Sequence, residues 1–142
     1  MKQIKLIGLL WDAENLEAYG YSHFNWESAM QLAKDKGKRI PTNEEQIALS
    51  KLPNIWDEKL KGRWFAEEEK YFFDSEKSLF LPAAGYRNVS NGQLYLSGDY
   101  GYYWSATAYN NFSFNLTFFN GNVMPAYFNG RANGFSVRCV AA

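Results

Sequence analysis

Few residues in this chain could do chemistry by nucleophile, proton transfer or metal. Cys139 is the one cysteine and His23 the one histidine. A lone cysteine excludes an internal disulfide and any multi-cysteine metal site. Cys139 lies in the alternating run Phe135-Ser136-Val137-Arg138-Cys139-Val140, where a small buried core residue is expected. His23 stands before a helix start, away from any recognisable nucleophile or base arrangement, and reads as a loop or cap residue. Glu67-Glu68-Glu69 is an acidic run better explained by solvation than by metal binding. The expectation is no catalytic residue, no metal and no cofactor.

The remaining chemistry is recognition, and one stretch is rich in the residues that perform it. Residues 88–142 carry only three charged side chains, Asp99, Arg131 and Arg138, yet hold half of the aromatics and nine Asn. Tyr, Ser, Gly and Asn together combine large amphipathic contacts with adaptable hydrogen bonding, at little cost in side-chain entropy. At 18% aromatic, the chain has more rings than its aliphatic content would bury. Composition bounds the partner too. A net charge of zero gives no support for nucleic acid or an anionic membrane held by bulk electrostatics.

The elements that must position this stretch are legible in outline. At 142 residues one domain over 1–142 is expected. Ile4–Trp11 reads as a first strand with Ile4, Leu6, Gly8 and Leu10 on one face. Asn25 caps a helix whose Trp26, Ala29, Met30 and Ala33 share a face, with Gly37 as its left-handed stop. Thr42-Asn43-Glu44-Glu45 is a capping box for a second helix with Ala48, Leu49 and Leu52 as its apolar stripe, ended by Pro53. Short β segments follow at 63–66, 71–74 and 79–81. Residues 82–87 read as a tight crossing, and Asn91-Gly92 as a turn. Strands are then expected at 102–105, 113–118, 122–125 and 135–141. Alternation puts Phe114, Leu116 and Phe118 on one face, Ser113, Asn115, Thr117 and Phe119 on the other. This order predicts an α+β fold, two helices packed on short twisted antiparallel sheets.

Several motifs resemble a known group. Trp11-Asp12-Ala13-Glu14-Asn15-Leu16, Trp26–Met30 and Gly37-Lys38-Arg39-Ile40-Pro41-Thr42 resemble the N-terminal half of C-type-lectin-fold domains of the formylglycine-generating-enzyme type. Leu81–Arg87, Gly101-Tyr102-Tyr103-Trp104-Ser105 and Gly134–Val140 are similar to core motifs of the bacterial paralogous surface domains in that group. They are also similar to those of the variable proteins of diversity-generating retroelements. The resemblance implies a C-type lectin-like fold with framework 1–105 and 135–142 around a variable binding region of about 106–134. In such variable proteins template adenines are randomised during reverse transcription and Asn codons are the usual targets. Tyr109 then descends from an Asn codon, and Asn110, Asn111, Asn129 and Asn133 are unmutated or synonymous outcomes. The formylglycine-generating enzymes use a pair of active-site cysteines, which this chain lacks. The Glu-Pro-Asn, Gln-Pro-Asp and Trp-Asn-Asp signatures of calcium-dependent sugar-binding lectins are absent too.

The expected ligand-binding residues are Tyr109, Asn110, Asn111, Phe112, Thr117, Phe119, Met124, Ala126, Tyr127, Phe128, Asn129 and Gly130. Trp104, Leu116, Phe118, Val123 and the 135–140 run are expected framework, and Phe114 is expected core. The expected partner is a protein or cell-surface ligand, with docking to a virion or display protein as one route to a surface and work inside the cell as the other. The opening residues contain no adequate signal-peptide core, so synthesis in the cytoplasm is expected. No apolar run reaches transmembrane length, so no membrane insertion is expected. A non-diversified structural surface domain is the alternative, with an enzyme of the formylglycine-generating type behind it.

Overall fold

The computed structural model describes residues 2–142. Its architecture is α+β, with two helices and several short antiparallel sheets. The chain opens with a hairpin, β1 (Gln3–Leu6) and β2 (Leu9–Asp12), where one strand is predicted. Ile7 and Gly8 both take positive φ, 49° and 76°, and reverse the chain between them. Ile4 and Leu6 are buried as expected, but Leu10 lies past the turn and faces outward. Period-2 patterning cannot report a two-residue reversal inside an apolar run.

Helix α1 (Trp26–Asp35) starts at Asn25, whose side chain accepts from the Ser28 amide, and buries Ala29 and Ala33. Gly37 follows in the left-handed conformation. After β3 (Lys38–Arg39), helix α2 (Asn43–Ser50) opens on the predicted capping box. The Thr42 hydroxyl accepts from the Glu45 amide, and the Glu45 carboxylate accepts from the Thr42 amide. Arg39 adds a bidentate pair to the same carboxylate, at 2.7 and 2.8 Å. Leu49 is fully buried, while Ala48 and Leu52 are half-buried.

Strands β4 (Asn54–Asp57), β5 (Gly62–Ala66) and β6 (Ser78–Pro82) form a three-stranded sheet. β4 is not anticipated in the sequence. The expected strand at 71–74 is instead the end of a 3-10 turn, Glu69–Tyr71, followed by further turns, because Asp74 accepts from the Glu76 amide and its carbonyl takes the Ser78 amide. β7 (Tyr86–Arg87) and β8 (Leu94–Tyr95) flank the predicted Asn91-Gly92 turn.

The last third builds the sheet that matters most. β9 (Gly101–Tyr109), β10 (Phe112–Phe119) and β11 (Asn122–Gly130) run antiparallel with β10 central. All three outrun their predicted lengths. Residues 126–130, beyond the strand expected at 122–125, are strand too. The expected strand at 135–141 is mostly a connecting segment, with only β12 (Val140–Ala141) regular; it joins β2 and β3.

This sheet separates two cores. Tyr103, Leu116 and Phe118 pack with Leu49, Phe65, Leu79 and Leu81 on one side. Trp104 packs with Phe24, Ala29, Ala33, Ile40 and Phe135 on the other. Register explains the split, since directly paired residues project to the same face. Leu116 is opposite Tyr103, and Asn115 is opposite Trp104. Among core residues, Cys139 is buried and burial pushes its thiol up to about 11, so it stays protonated and inert.

Trp104→Ala should cost about 3–5 kcal/mol in denaturant unfolding, as expected for a fully buried Trp whose site cannot collapse. The Glu45 carboxyl lies below its ordinary value, chiefly through the Arg39 hydrogen bonds. A depressed carboxyl contributes stability above its unfolded value and loses it as pH falls through the folded one. Glu45→Gln should therefore lower the melting temperature at pH 7. The gap to wild type should close as the pH falls below the ordinary carboxylate range; a gap constant with pH would exclude this ion pair as its source.

Candidate functional site

The predicted binding residues all belong to the β9–β10–β11 sheet and its first turn, but they run from that turn at one end to Phe119 at the other and do not share one surface. Tyr109 is opposite Phe112, and Phe114 opposite Phe128, so these four share the face that carries Leu116 and Phe118. Their rings form one cluster: Tyr109–Phe128 at 4.7 Å, Tyr109–Phe114 at 5.1 Å and Phe112–Phe128 at 5.8 Å. Tyr109, Phe112 and Phe128 are each more than 40% exposed. Phe114, expected in the core, is only half-buried and belongs to this cluster. Alternation identified its face correctly, but the core ends one residue pair short of it.

Thr117, Phe119, Met124, Tyr127 and Asn129 lie on the opposite face, as the pairs Asn115–Tyr127, Thr117–Met124 and Ser113–Asn129 require. Thr117 must be withdrawn from the binding surface. It is 1% exposed, and its hydroxyl donates to Asn115 Oδ1. Asn115 Nδ2 in turn donates to Asn129 Oδ1 at 2.8 Å, so a polar ladder runs through a face that alternation would read as solvated. Phe119 is half-buried and stacks on Tyr100 at 5.2 Å. Met124 is half-buried, while Tyr127 is 51% exposed.

Both faces meet along β11, the free edge of this sheet. The register shifts between Asn115 and Thr117, so Leu116 faces the bulge at Pro125-Ala126. A bulge and a proline blunt an edge against open-ended strand pairing while still presenting its side chains. Ala126 is exposed there, and Gly130 is half-buried at the strand's end. Asn110 and Asn111 form the β9–β10 turn, exposed, with Asn110 at φ 54°. Asn tolerates that conformation, which gives this residue a backbone reason as well as a surface one.

Two arginines hold this hairpin, and neither role is visible in the sequence. Arg131 Nη2 donates to the Asn110 and Phe112 carbonyls, and Nε to Ser113 Oγ, while the guanidinium lies 4.7 Å from the Trp26 ring centre. Trp26 Nε1 donates to the Ser105 carbonyl at 2.8 Å, closing the link to α1. At the other end, buried Arg63 donates to the Phe119 and Asn120 carbonyls at 2.8 and 2.9 Å. Planar donors of fixed geometry suit such carbonyl clamps.

Other groups with chemical potential are structurally engaged. His23 Nε2 lies 2.8 Å from the Ala84 carbonyl, and burial lowers its basicity. Among the described residues no group of three or more His, Cys, Asp or Glu side chains comes together as a metal site. No helix of the described residues is long and apolar enough to cross a membrane. A cavity of about 570 Å³ lies between α1 and residues 38–42 and is lined by none of the predicted binding residues.

Thr117→Val should destabilise the protein by about 1–3 kcal/mol, since it leaves Asn115 Oδ1 without its buried donor. Tyr127→Ser, on the exposed rim, should change stability by no more than about 0.5 kcal/mol. Chemical denaturation of the two variants side by side separates buried ladder from surface.

No curated protein matches the chain, and no solved structure does. A family model, described as a domain of unknown function (DUF8237), matches residues 60–140. That span is more than half of the chain and includes the whole β9–β11 sheet with both of its clamping arginines, so the chain belongs to the DUF8237 family.

Proposed function

We propose that the chain is a non-catalytic ligand-binding module of C-type lectin-like fold, recognising a protein or cell-surface ligand. Its recognition surface is the far end of the β9–β11 sheet. The observation that carries this reading is the ring cluster Tyr109, Phe112, Phe114 and Phe128, set beyond the core on a clamped hairpin, with three of the four rings exposed to solvent. Contiguous exposed aromatic surface of this kind is a mark of interaction sites, and rigid aromatic anchors are enriched among residues that dominate binding energy. The ligand grips the edge of the sheet, where Phe128 on one face and Tyr127 on the other are both within reach.

The surface is read as diversified, as in the variable proteins of phage and bacterial retroelements. The motif resemblance supports this, as does the separation between clamp and display. Arg131 and Arg63 hold the hairpin largely through backbone carbonyls, so the side chains at 109–112 and 126–128 can change without loosening it. A few such side chains fall short of the roughly 20–30 residues per partner of a standard interface, so display in several copies is expected to add avidity.

Two measurements test the reading. A library randomised at Tyr109, Asn110, Asn111, Phe112, Ala126, Tyr127 and Phe128 should remain largely folded by protease resistance. One randomised at Trp104, Leu116, Phe118 and Phe135 should not. The encoding DNA should carry a near-repeat of codons 106–134, mismatched at template adenines, beside a reverse transcriptase. A tolerant library without the repeat would favour a non-diversified surface domain; an intolerant library would remove the binding surface itself.

A further inference from the structure

A second, smaller site lies on the opposite face of the same sheet. A cavity of about 220 Å³ is lined by Tyr86, Asn88, Leu96, Tyr102, Asn129, Asn133 and Phe135. No charged side chain lines it. Its volume is below the roughly 300–1,000 Å³ typical of sites for drug-sized ligands, so it takes one small ring or side chain.

The hydrogen-bonding state of these groups is asymmetric. Asn129 Oδ1 is occupied by Asn115 Nδ2, which leaves Asn129 Nδ2 as a donor without a protein partner. Asn88 Oδ1 accepts from the Ser90 amide, leaving its Nδ2 likewise. Asn133 is turned the other way, its Nδ2 donating to the Gly130 carbonyl and its Oδ1 left as an acceptor. The hydroxyls of Tyr86 and Tyr102 have no hydrogen-bond partner among the described residues. Tyr102 is wedged between Tyr100 and Phe135, at 6.0 and 5.0 Å, so it offers its hydroxyl edge and not a ring face. Burial, with the neighbouring phenols of Tyr86, Tyr100 and Tyr127, pushes Tyr102 up to about 12, so it remains a neutral donor at any physiological pH.

The residues lining this ring-sized space therefore carry two free amide donors, one free amide acceptor and two adaptable hydroxyls. We propose that this cavity binds a single neutral pyranose, either free or at the end of a glycan. A primary amide offers one acceptor oxygen and one donor nitrogen and cannot meet five groups placed around it. A pyranose carries several hydroxyls, each both donor and acceptor, spread around its rim. The absence of charge in the lining disfavours carboxylates, phosphates and amines, which would lose solvation without a counter-charge. The Thr117–Asn115–Asn129 ladder preorganises the site, since it engages Asn129 Oδ1 and leaves Nδ2 unpartnered before any ligand arrives.

The site does not depend on the aromatic cluster, and its test is separate. The full chain, labelled with 15N, is titrated in the presence of EDTA with glucose, galactose, mannose and N-acetylglucosamine, with their methyl glycosides, and with acetamide. At least one sugar should give saturable shifts of the Asn88 and Asn129 side-chain amides. Equal response to a methyl glycoside marks a glycan end, and response to the free sugar alone marks a free sugar. Tyr102→Phe, which keeps the ring packing, and Asn88→Ala, at a half-buried position before the 89–91 turn, should each weaken binding by about tenfold, because each leaves a sugar hydroxyl unpaired. Phe112→Ser with Phe128→Ser should leave it unchanged. No saturable shift with any sugar, shifts that map to another surface, response to acetamide alone, or full affinity in Tyr102→Phe would each overturn the proposal.

Discussion

The structure depends first on Trp104. Its indole is fully buried and donates to the Phe24 carbonyl at 2.7 Å, fixing the chain just before α1. Its own carbonyl accepts from Gln46 of α2 at 3.1 Å, and its amide donates to the Ser136 carbonyl. The ring packs on Phe135 at 4.3 Å. One residue in β9 thus ties both helices and the C-terminal segment to the central sheet. A buried indole must find an acceptor for its N–H, and that requirement gives the contact directionality that hydrophobic packing lacks.

From this point order spreads along two routes. One passes through the C-terminal segment to the start of the chain: Arg138 donates to Asn15 Oδ1 and the Asp12 carbonyl, and Asn15 donates to the Tyr103 hydroxyl. Tyr103 completes the link by donating to the Pro82 carbonyl at 2.7 Å. Burial alone would make Arg138 and Tyr103 costly, but this network satisfies both without a cross-link. The other route passes outward through Trp26 to Arg131 and the β9–β10 turn. The sheet can therefore extend past both cores and still hold its end in place. A surface that recognises a ligand benefits from such rigidity, because less ordering is left to be done on binding.

Much of this was legible in residue types. Both helices, their caps and the Gly37 stop were readable because capping is local: a side chain and an amide three residues away make the bond. The buried alternation of Leu116 and Phe118 was readable for the same reason. What failed had causes that periodicity does not report, two of them local and two set by contacts across the sheet. The Ile7-Gly8 reversal hides inside an apolar run, and the 71–74 strand yields to the hydrogen bonds of Asp74. Thr117 looked like a surface residue because its partner, Asn115, is held by Asn129 across the hairpin. Phe114 looked like core because alternation states which way a residue faces and not how far the opposing layer extends.

The sequence by itself determined the class of the fold, the two helices with their ends, and the position of the neutral Asn- and aromatic-rich stretch. These follow from short-range bonds and from periodicity, which any reader of the chain can count. Only the tertiary structure decided what the two faces of this stretch carry, a cluster of rings on one and a lined, uncharged cavity on the other. It also decided that Arg63 and Arg131 clamp its ends. Those outcomes depend on strand register and on where each core stops, and both are set by contacts between residues far apart in the chain.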